Sequence, residues 1–397
     1  VVHPPGAPAA AGAPPAGAGR RRVNGPFVAR RPLAEFGLWD KMAAGRAVFS
    51  FDLEVTARCN LDCRHCYINL PAGDRKARRR ELGAGEIGRI GREAADLGAV
   101  WCLITGGEPL LRKDFFDIYR ALAGKGLVLS LFTNATLVSA EHIRFFKKFP
   151  PREIEVTVYG NTRETYERVT RTPGSFEAFQ RGLARLLGAG LPLRLKAMAL
   201  RSNKHELAAI GDFCRRRTKD YYRFDPHLHL RFDRDEARNA LIRAERLSGR
   251  EVARLERSDP ERFGALRDAC GELPAPGPPG GAPVPDCRHI FRCGVGQRSF
   301  VVGPEGLFRP CLSLHHPDFL FDLRKGGLAE AWNEFLPRRL TRTSDRPEFL
   351  EKCAKCPVVN LCLWCPAHAY LETGELDSPV EAFCRVAEAR AEGLKYG

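Results

Sequence analysis

The stretch Val48-Phe-Ser-Phe-Asp-Leu-Glu-Val-Thr-Ala-Arg-Cys59-Asn-Leu-Asp-Cys63-Arg-His-Cys66-Tyr67 joins an apolar run to three closely spaced cysteines. Residues 48–55 read as a strand, which puts the Cys-x3-Cys-x2-Cys loop at a strand's carboxyl end. Downstream, short apolar runs at 101–104, 127–133, 154–159, 193–200 and 221–230 alternate with helical periodicity. Helical spacing is plain at Ile87, Ile90, Ala94 and Leu97, over 113–123, and at Phe176, Phe179, Leu183, Leu186 and Leu187. Six strands with intervening helices predict a parallel sheet closed into a partial (β/α)6 TIM-like barrel, whose sites collect at the carboxyl ends of its strands.

Composition narrows the function classes. The chain has 397 residues, 44% of them hydrophobic, with 14 cysteines and a formal charge of +15. No apolar run reaches the length of a membrane span. Residues 1–19 are mostly Ala, Pro and Gly without an export signal, so 1–45 is expected to be a disordered, Arg-rich tail and the compartment the cytoplasm. There thiols stay reduced, and cysteines serve metals or catalysis more often than disulfides. The excess charge concentrates in Arg20–22 with Arg30 and Arg31, and in Arg75, Lys76, Arg78, Arg79 and Arg80. No aromatic residues interleave with either run, so a solvated loop or tail is expected rather than a nucleic-acid surface. The second run could instead guide an acidic peptide or reductant.

Three thiolates on one loop suit an iron–sulfur cube and leave one iron open to an exogenous donor. A structural zinc would want a fourth protein ligand; His65 could serve in sequence but is expected to face solvent. After residues 46–234, a charged helical segment and a Pro/Gly-rich linker fill 235–285, with the linker at 274–285. The remainder, 286–397, reads as a small cysteine-rich second domain held together by metal. Its thiols are Cys287, Cys293, Cys311, Cys353, Cys356, Cys362, Cys365 and Cys384, enough for two sets of four. A hairpin turn is expected at 303–306. Cys102, Cys214 and Cys270 are left over, and the first two read as buried small hydrophobes.

The first cysteine loop resembles the signature of the radical SAM superfamily. Gly106-Gly107-Glu108-Pro109 follows the second strand, where that family carries its motif for the SAM amino group. The resemblance implies further SAM contacts. Thr157 sits in the fourth-strand segment, Arg168 matches an Arg that approaches the SAM carboxylate, Tyr67 the aromatic beside adenine, and Asn134 lines the same pocket. A strand Thr and an exposed helix Arg are the plainer readings of Thr157 and Arg168. The C-terminal thiols resemble the SPASM extension, which carries two auxiliary [4Fe–4S] clusters. By position, Cys287, Cys293, Cys311 and Cys365 would form one set, and Cys353, Cys356, Cys362 and Cys384 the other. Cys362-x2-Cys365 is a residue shorter than the commonest spacing, which bears on Cys365 as the crossing ligand.

The implied cofactors are thus a [4Fe–4S] cluster held by Cys59, Cys63 and Cys66, two auxiliary clusters, and S-adenosyl-L-methionine. The implied activity is an oxidoreductase or maturase that cleaves SAM to a 5′-deoxyadenosyl radical and modifies a peptide or protein. A small-molecule substrate is the alternative, and a non-catalytic metal-binding module a third. A flavodoxin- or ferredoxin-like electron donor is expected. So is a separate peptide carrier or a substrate without a leader, because the residues before Cys59 leave no room for a leader-binding domain. For proton transfer the end of strand six offers Asp225, His227, His229 and Arg231, whose plainer reading is an ion-paired strand terminus.

Overall fold

A computed structural model of the chain describes residues 47–218, 223–270 and 288–395. The tail expected at 1–45, the linker at 274–285, Cys287 and the start of the sixth strand at 221–222 lie outside them, as does the side chain of Cys270. The strands are β1 (Ser50–Thr56), β2 (Trp101–Gly106), β3 (Val128–Thr133), β4 (Glu153–Thr157), β5 (Leu193–Met198) and β6 (Arg223–Asp225). Each pairs in parallel with the next, so sheet order follows chain order, as the alternation of strands and helices requires. The mixed α/β barrel expected from the sequence is present.

One side of this sheet is apolar. Phe51, Leu53, Val55, Ile104, Leu131, Ile154, Val156 and Leu195 pack with Ile87, Ile90, Ile118, Leu122, Phe146, Phe179 and Ile210 from the surrounding helices. The alternate positions form the barrel interior, and many of them are charged. Registered neighbours there include Glu155 with Arg194, Lys196 with Arg223, and Met198 with Asp225. Glu155 pairs with Lys196, whose ammonium lies 3.8 Å from the Phe132 ring centroid. β6 ends at Asp225, where Pro226 follows and has no N–H to extend the ladder.

The C-terminal region does not leave this sheet. β7 (Ser299–Val302) pairs in parallel with β1, and β8 (Leu307–Arg309) and β9 (Phe321–Asp322) extend it antiparallel. An uncovered β1 would be an exposed edge, and β7 satisfies its backbone. The described residues from Val48 onward fall in one compact unit. The expected hairpin turn is present: Gly303 N donates to Leu307 O at 2.9 Å, and Gly306 takes a φ of 83°. The basic run at 75–80 is a short helix, Arg75–Arg80, rather than a loop. Asp74 caps it by accepting from Ala77 N at 2.8 Å, only Ala77 is buried, and the basic side chains face solvent. Cys102 and Cys214 are core residues, as expected. Among the described residues no helix is long and apolar enough to cross a membrane.

Candidate functional site

The loop 57–71 leaves β1 and is pinned from several sides. Asp62 N donates to Thr170 O at 3.0 Å and Arg64 N to Val169 O at 3.1 Å. Arg231 Nη1 donates to Asn69 O and Oδ1, each at 3.1 Å, while Arg238 reaches Asp62 Oδ1 at 2.6 Å and Asn69 Oδ1 at 3.0 Å. Arg231 is therefore an ion-paired anchor: its other edge pairs with Asp233 at 2.5 Å. Both arginines also favour the thiolate of Cys66, although burial dominates and pushes that thiol up. Asn69, Asp62 and Arg238 anchor this loop, and no motif marks them in the sequence.

The three thiols are withdrawn from water. Burial pushes Cys59 up to about 12, assisted by Glu108 and Cys66, and raises Cys63 further. Asn134 Nδ2 lies 3.8 Å from Cys59 Sγ and donates to Asn60 Oδ1 at 3.1 Å, which places Asn134 beside the cysteine loop. His65 is buried, against the expectation of a solvent-facing residue, because its ring packs 5.2 Å from Tyr159. Burial pushes its pKa down to about 4. Its Nδ1, like the hydroxyl of Tyr166 near Cys63, is buried without a hydrogen-bond partner.

The Gly-Gly-Glu-Pro turn closes over the end of β1. Gly107 N donates to Thr56 O at 2.7 Å and Glu108 N to Arg58 O at 2.9 Å. A Cβ on Gly106 would stand 2.2 Å from Thr56 O, and one on Gly107 2.3 Å from Arg58 O. Glu108 is fully buried and turned into the fold. Its carboxylate accepts from Leu110 N at 3.0 Å, Thr133 Oγ1 at 2.8 Å and Asn134 N at 2.8 Å, while burial pushes its pKa up to about 7. The side chain thus ties β2 to the end of β3, and Pro109 opens a 3-10 turn behind it. Gly107→Ala is expected to cost about 1–3 kcal/mol by overpacking. It should also weaken SAM binding in titration calorimetry. Gly85→Ala, whose Cβ meets nothing within 4 Å, should be neutral or mildly stabilising.

The remaining expected contacts divide. Thr157 ends β4 beside Lys196 on the interior face. The Arg168 guanidinium pairs with Glu164 one turn back on its own helix, and its carbonyl accepts from Arg64 Nε at 3.2 Å. Tyr67 packs against Phe232 at 4.8 Å and His229 at 5.7 Å between ring centroids. With Arg231, Glu54, Arg309 and the 303–307 turn it lines a cavity of about 400 Å³.

Asp225, His227 and His229 come together at the barrel end. Asp225 Oδ1 accepts from His227 N at 3.0 Å. His368, which sequence reading passed over, joins them from the helix Pro366–Thr373, with ring centroids 4.3 Å from His227 and 4.8 Å from His229. Burial lowers the pKa of all three imidazoles. The only sequence signal for His368 is its place three residues after Cys365.

The C-terminal thiols sort into two neighbourhoods. Cys311 and Cys293 are the thiols that bear electrostatically on Cys365, and Cys293 bears on Cys311. Cys384, Cys362 and Cys356 bear on Cys353. Burial pushes Cys365 up to about 12; its Sγ caps the helix Pro366–Thr373 and accepts from His368 N at 3.4 Å, which opposes part of that rise.

Residues 53–214 match the family model of the radical SAM superfamily. This region is a radical SAM superfamily domain. Among curated proteins, the chain is 30% identical over 174 residues to a probable GTP 3′,8-cyclase of Methanococcus maripaludis, covering 43% of this chain and 57% of the relative. It is 32% identical over 158 residues to the AdoMet-dependent heme synthase of Methanosarcina barkeri, covering 39% and 43%. The chain thus spans about half the length of the curated relatives it matches. Streptococcus suis SuiB bound to precursor peptide SuiA shares the fold at a TM-score of 0.64 and 14% identity, over 88% of this chain and 78% of that one. Native anSMEcpe with bound AdoMet shares it at 0.60 and 14%, over 88% and 96%.

A radical SAM domain implies a [4Fe–4S] cluster and SAM, and the residues present fit them. Three thiols converge on one loop, and two buried polar atoms beside it lack partners. The glycine turn packs so closely on the Thr56 and Arg58 carbonyls that no Cβ would fit.

Proposed function

We propose that this protein is a radical SAM oxidoreductase that modifies a peptide or protein, with auxiliary iron–sulfur centres in its C-terminal region. The observation that carries the reading is the sorting of the thiols: Cys293 and Cys311 neighbour Cys365, apart from the group of Cys353, Cys356, Cys362 and Cys384. Two thiol groups beside a radical SAM barrel suit two further [4Fe–4S] clusters, the first with Cys287 as its fourth ligand. When bound to Cys59, Cys63 and Cys66, the first cluster supplies the electron that splits SAM to a 5′-deoxyadenosyl radical.

The chain's own residues orient and shield this chemistry. Asn134 and the Gly106-Gly107 turn border the SAM site, Pro109 and Glu108 hold that turn, and Thr157 and Tyr67 close its sides. Arg168 reaches a SAM carboxylate only by leaving Glu164. The cavity beside Tyr67 accommodates a substrate side chain, and Asp225 stands at the barrel end to take a proton released on oxidation. SuiB with its precursor peptide and anSMEcpe with its Kp18Cys peptide support a peptide substrate. The curated relatives named GTP 3′,8-cyclase and heme synthase favour the second reading, a small-molecule substrate.

Anaerobically reduced protein should release 5′-deoxyadenosine from SAM. Where a short peptide is encoded beside its gene, coexpression with the enzyme should change that peptide's mass. An unmodified peptide alongside turnover of a small metabolite would move the assignment to the second reading. We place the enzyme in a reducing cytoplasm with a flavodoxin- or ferredoxin-like donor. The helix Arg75–Arg80 is the docking candidate for that donor or an acidic peptide. Reversing Arg78, Arg79 and Arg80 to Glu should slow turnover several-fold at low salt and remove its salt dependence, read in initial rates. Unchanged rates at every salt concentration would leave the helix as solvated charge.

A further inference from the structure

After β6 the chain runs Asp225-Pro-His227-Leu-His229-Leu230 in extended form. Leu228 and Leu230 are buried in a small apolar cluster with Val169, Leu200, Ile242 and Leu371. Alternation turns His227 and His229 the opposite way, toward His368. One nitrogen of each of the three rings lies within 4.8 Å of the other two.

The hydrogen bonds around the cluster leave lone pairs pointing inward. His368 Nδ1 is 2.8 Å from Leu363 O, which can only accept, so that nitrogen carries the proton and Nε2 is the free donor atom. His227 Nε2 is buried and has no hydrogen-bond partner. His229 Nδ1 and His368 Nε2 each lie 3.3 Å from the same atom, Ser313 Oγ. Phe383 walls the cluster, with its ring centroid 5.4 Å from His227 and 6.0 Å from His368. Three half-buried imidazoles, one of them with a buried and unpartnered nitrogen, are a costly arrangement unless something occupies the space between them.

We infer that His227, His229 and His368 bind one divalent transition-metal ion of the zinc class, with an open fourth position at Ser313. Zinc–imidazole bonds of about 2.0–2.1 Å place tetrahedral nitrogens about 3.4 Å apart. The observed spacing closes to that value with modest ring rotations. Three protein ligands and one open position are the arrangement of reactive rather than structural zinc sites. Cys365, three residues before His368, neighbours Cys311 and Cys293, and the three histidines form an all-nitrogen donor set. Asp225 and Glu372 supply nearby negative charge, opposed by Arg246 and Arg390. His229 also touches Tyr67, the residue after Cys66, so the ion would sit between the first cysteine loop and the C-terminal thiols. There it could hold a substrate through a carboxylate, imidazole or thiolate. The ion would take the imidazole lone pairs and leave Asp225 for proton transfer. The inference rests on the three imidazoles and is independent of which substrate the enzyme modifies.

The test uses the full chain with its cysteines filled by reconstituted iron and sulfide, dialysed against Zn²⁺ or Co²⁺ and desalted. Wild type should retain one zinc per chain by elemental analysis. The cobalt form should show visible d–d bands of a four-coordinate nitrogen site without a sulfur-to-cobalt charge-transfer band. His368→Gln and His229→Asn should each weaken zinc binding at least about 100-fold while iron content and thermal melting stay as in wild type. Ser313→Ala should keep the ion. Should the variants fail to fold, the wild-type cobalt spectrum still decides. No zinc or cobalt retained by wild type, a thiolate charge-transfer band, or equal retention by folded histidine variants overturns the inference.

Discussion

Replacing Cys59, Cys63 and Cys66 together by alanine is expected to reduce 5′-deoxyadenosine release below detection and to remove about four irons per chain. The loop itself should survive the change. Its backbone is held by Thr170 O and Val169 O, and its side chains by Arg231 and Arg238, none of which involves sulfur. Far-ultraviolet circular dichroism and melting should therefore change little, which separates loss of the cluster from loss of the fold. The C-terminal thiols are untouched, so the iron that remains should report on the auxiliary centres alone. Cleavage of SAM persisting in the triple variant would remove the central assumption of the proposed function. Single substitution at Cys63, the most deeply buried of the three, should be as damaging as all three together, because two thiolates do not retain a cube.

The largest effect on stability is expected at Arg309. This residue on β8 pairs with Glu54 on β1 at 2.5 Å, with side-chain exposures of 2% and 1%. Arg309→Met leaves a buried carboxylate without its cation and should cost about 3–5 kcal/mol, read as a lowered urea midpoint. Adding Glu54→Leu should recover most of that loss, since removing both charges removes the desolvation penalty of each. Asp52 lies on the same face of β1, and burial pushes its pKa up from 3.8 to about 6, with Glu54 adding to the rise and Arg309 opposing it. The folded chain therefore holds a proton on Asp52 between about pH 4 and 6 that the unfolded chain has released. Its contribution to stability falls as pH rises through that window. In Arg309→Met the window should extend to higher pH, which urea melts at pH 5, 6 and 7 would show as a steeper decline. A pH profile parallel to wild type would mean that Arg309 does not act on Asp52.

Much of the architecture is legible locally. Apolar runs of strand length, the helical spacing of Ile87, Ile90 and Ala94, and the turn glycines determine the order of β1 to β6, because each signal lies within a few residues of the structure it makes. The cysteine loop is legible for the same reason: its three thiols are neighbours in sequence before they are neighbours in space. The basic run at 75–80 misleads as a loop because its helix depends on the Asp74 cap and on burying Ala77 alone.

What the sequence by itself determined, then, is the barrel, the first metal loop and the surplus of thiols beyond it. Only the tertiary structure decided that β7 completes the edge of β1, that Glu108 faces inward to hold the end of β3, and that His65 is buried. It also decided that His368 meets His227 and His229. Each of these joins residues far apart in the chain, or turns a side chain by what packs against it. Periodicity and spacing record only what a residue does to its near neighbours. The long-range partner of a buried charge, thiol or imidazole is set by closure of the whole sheet, which exists only once every strand is in place.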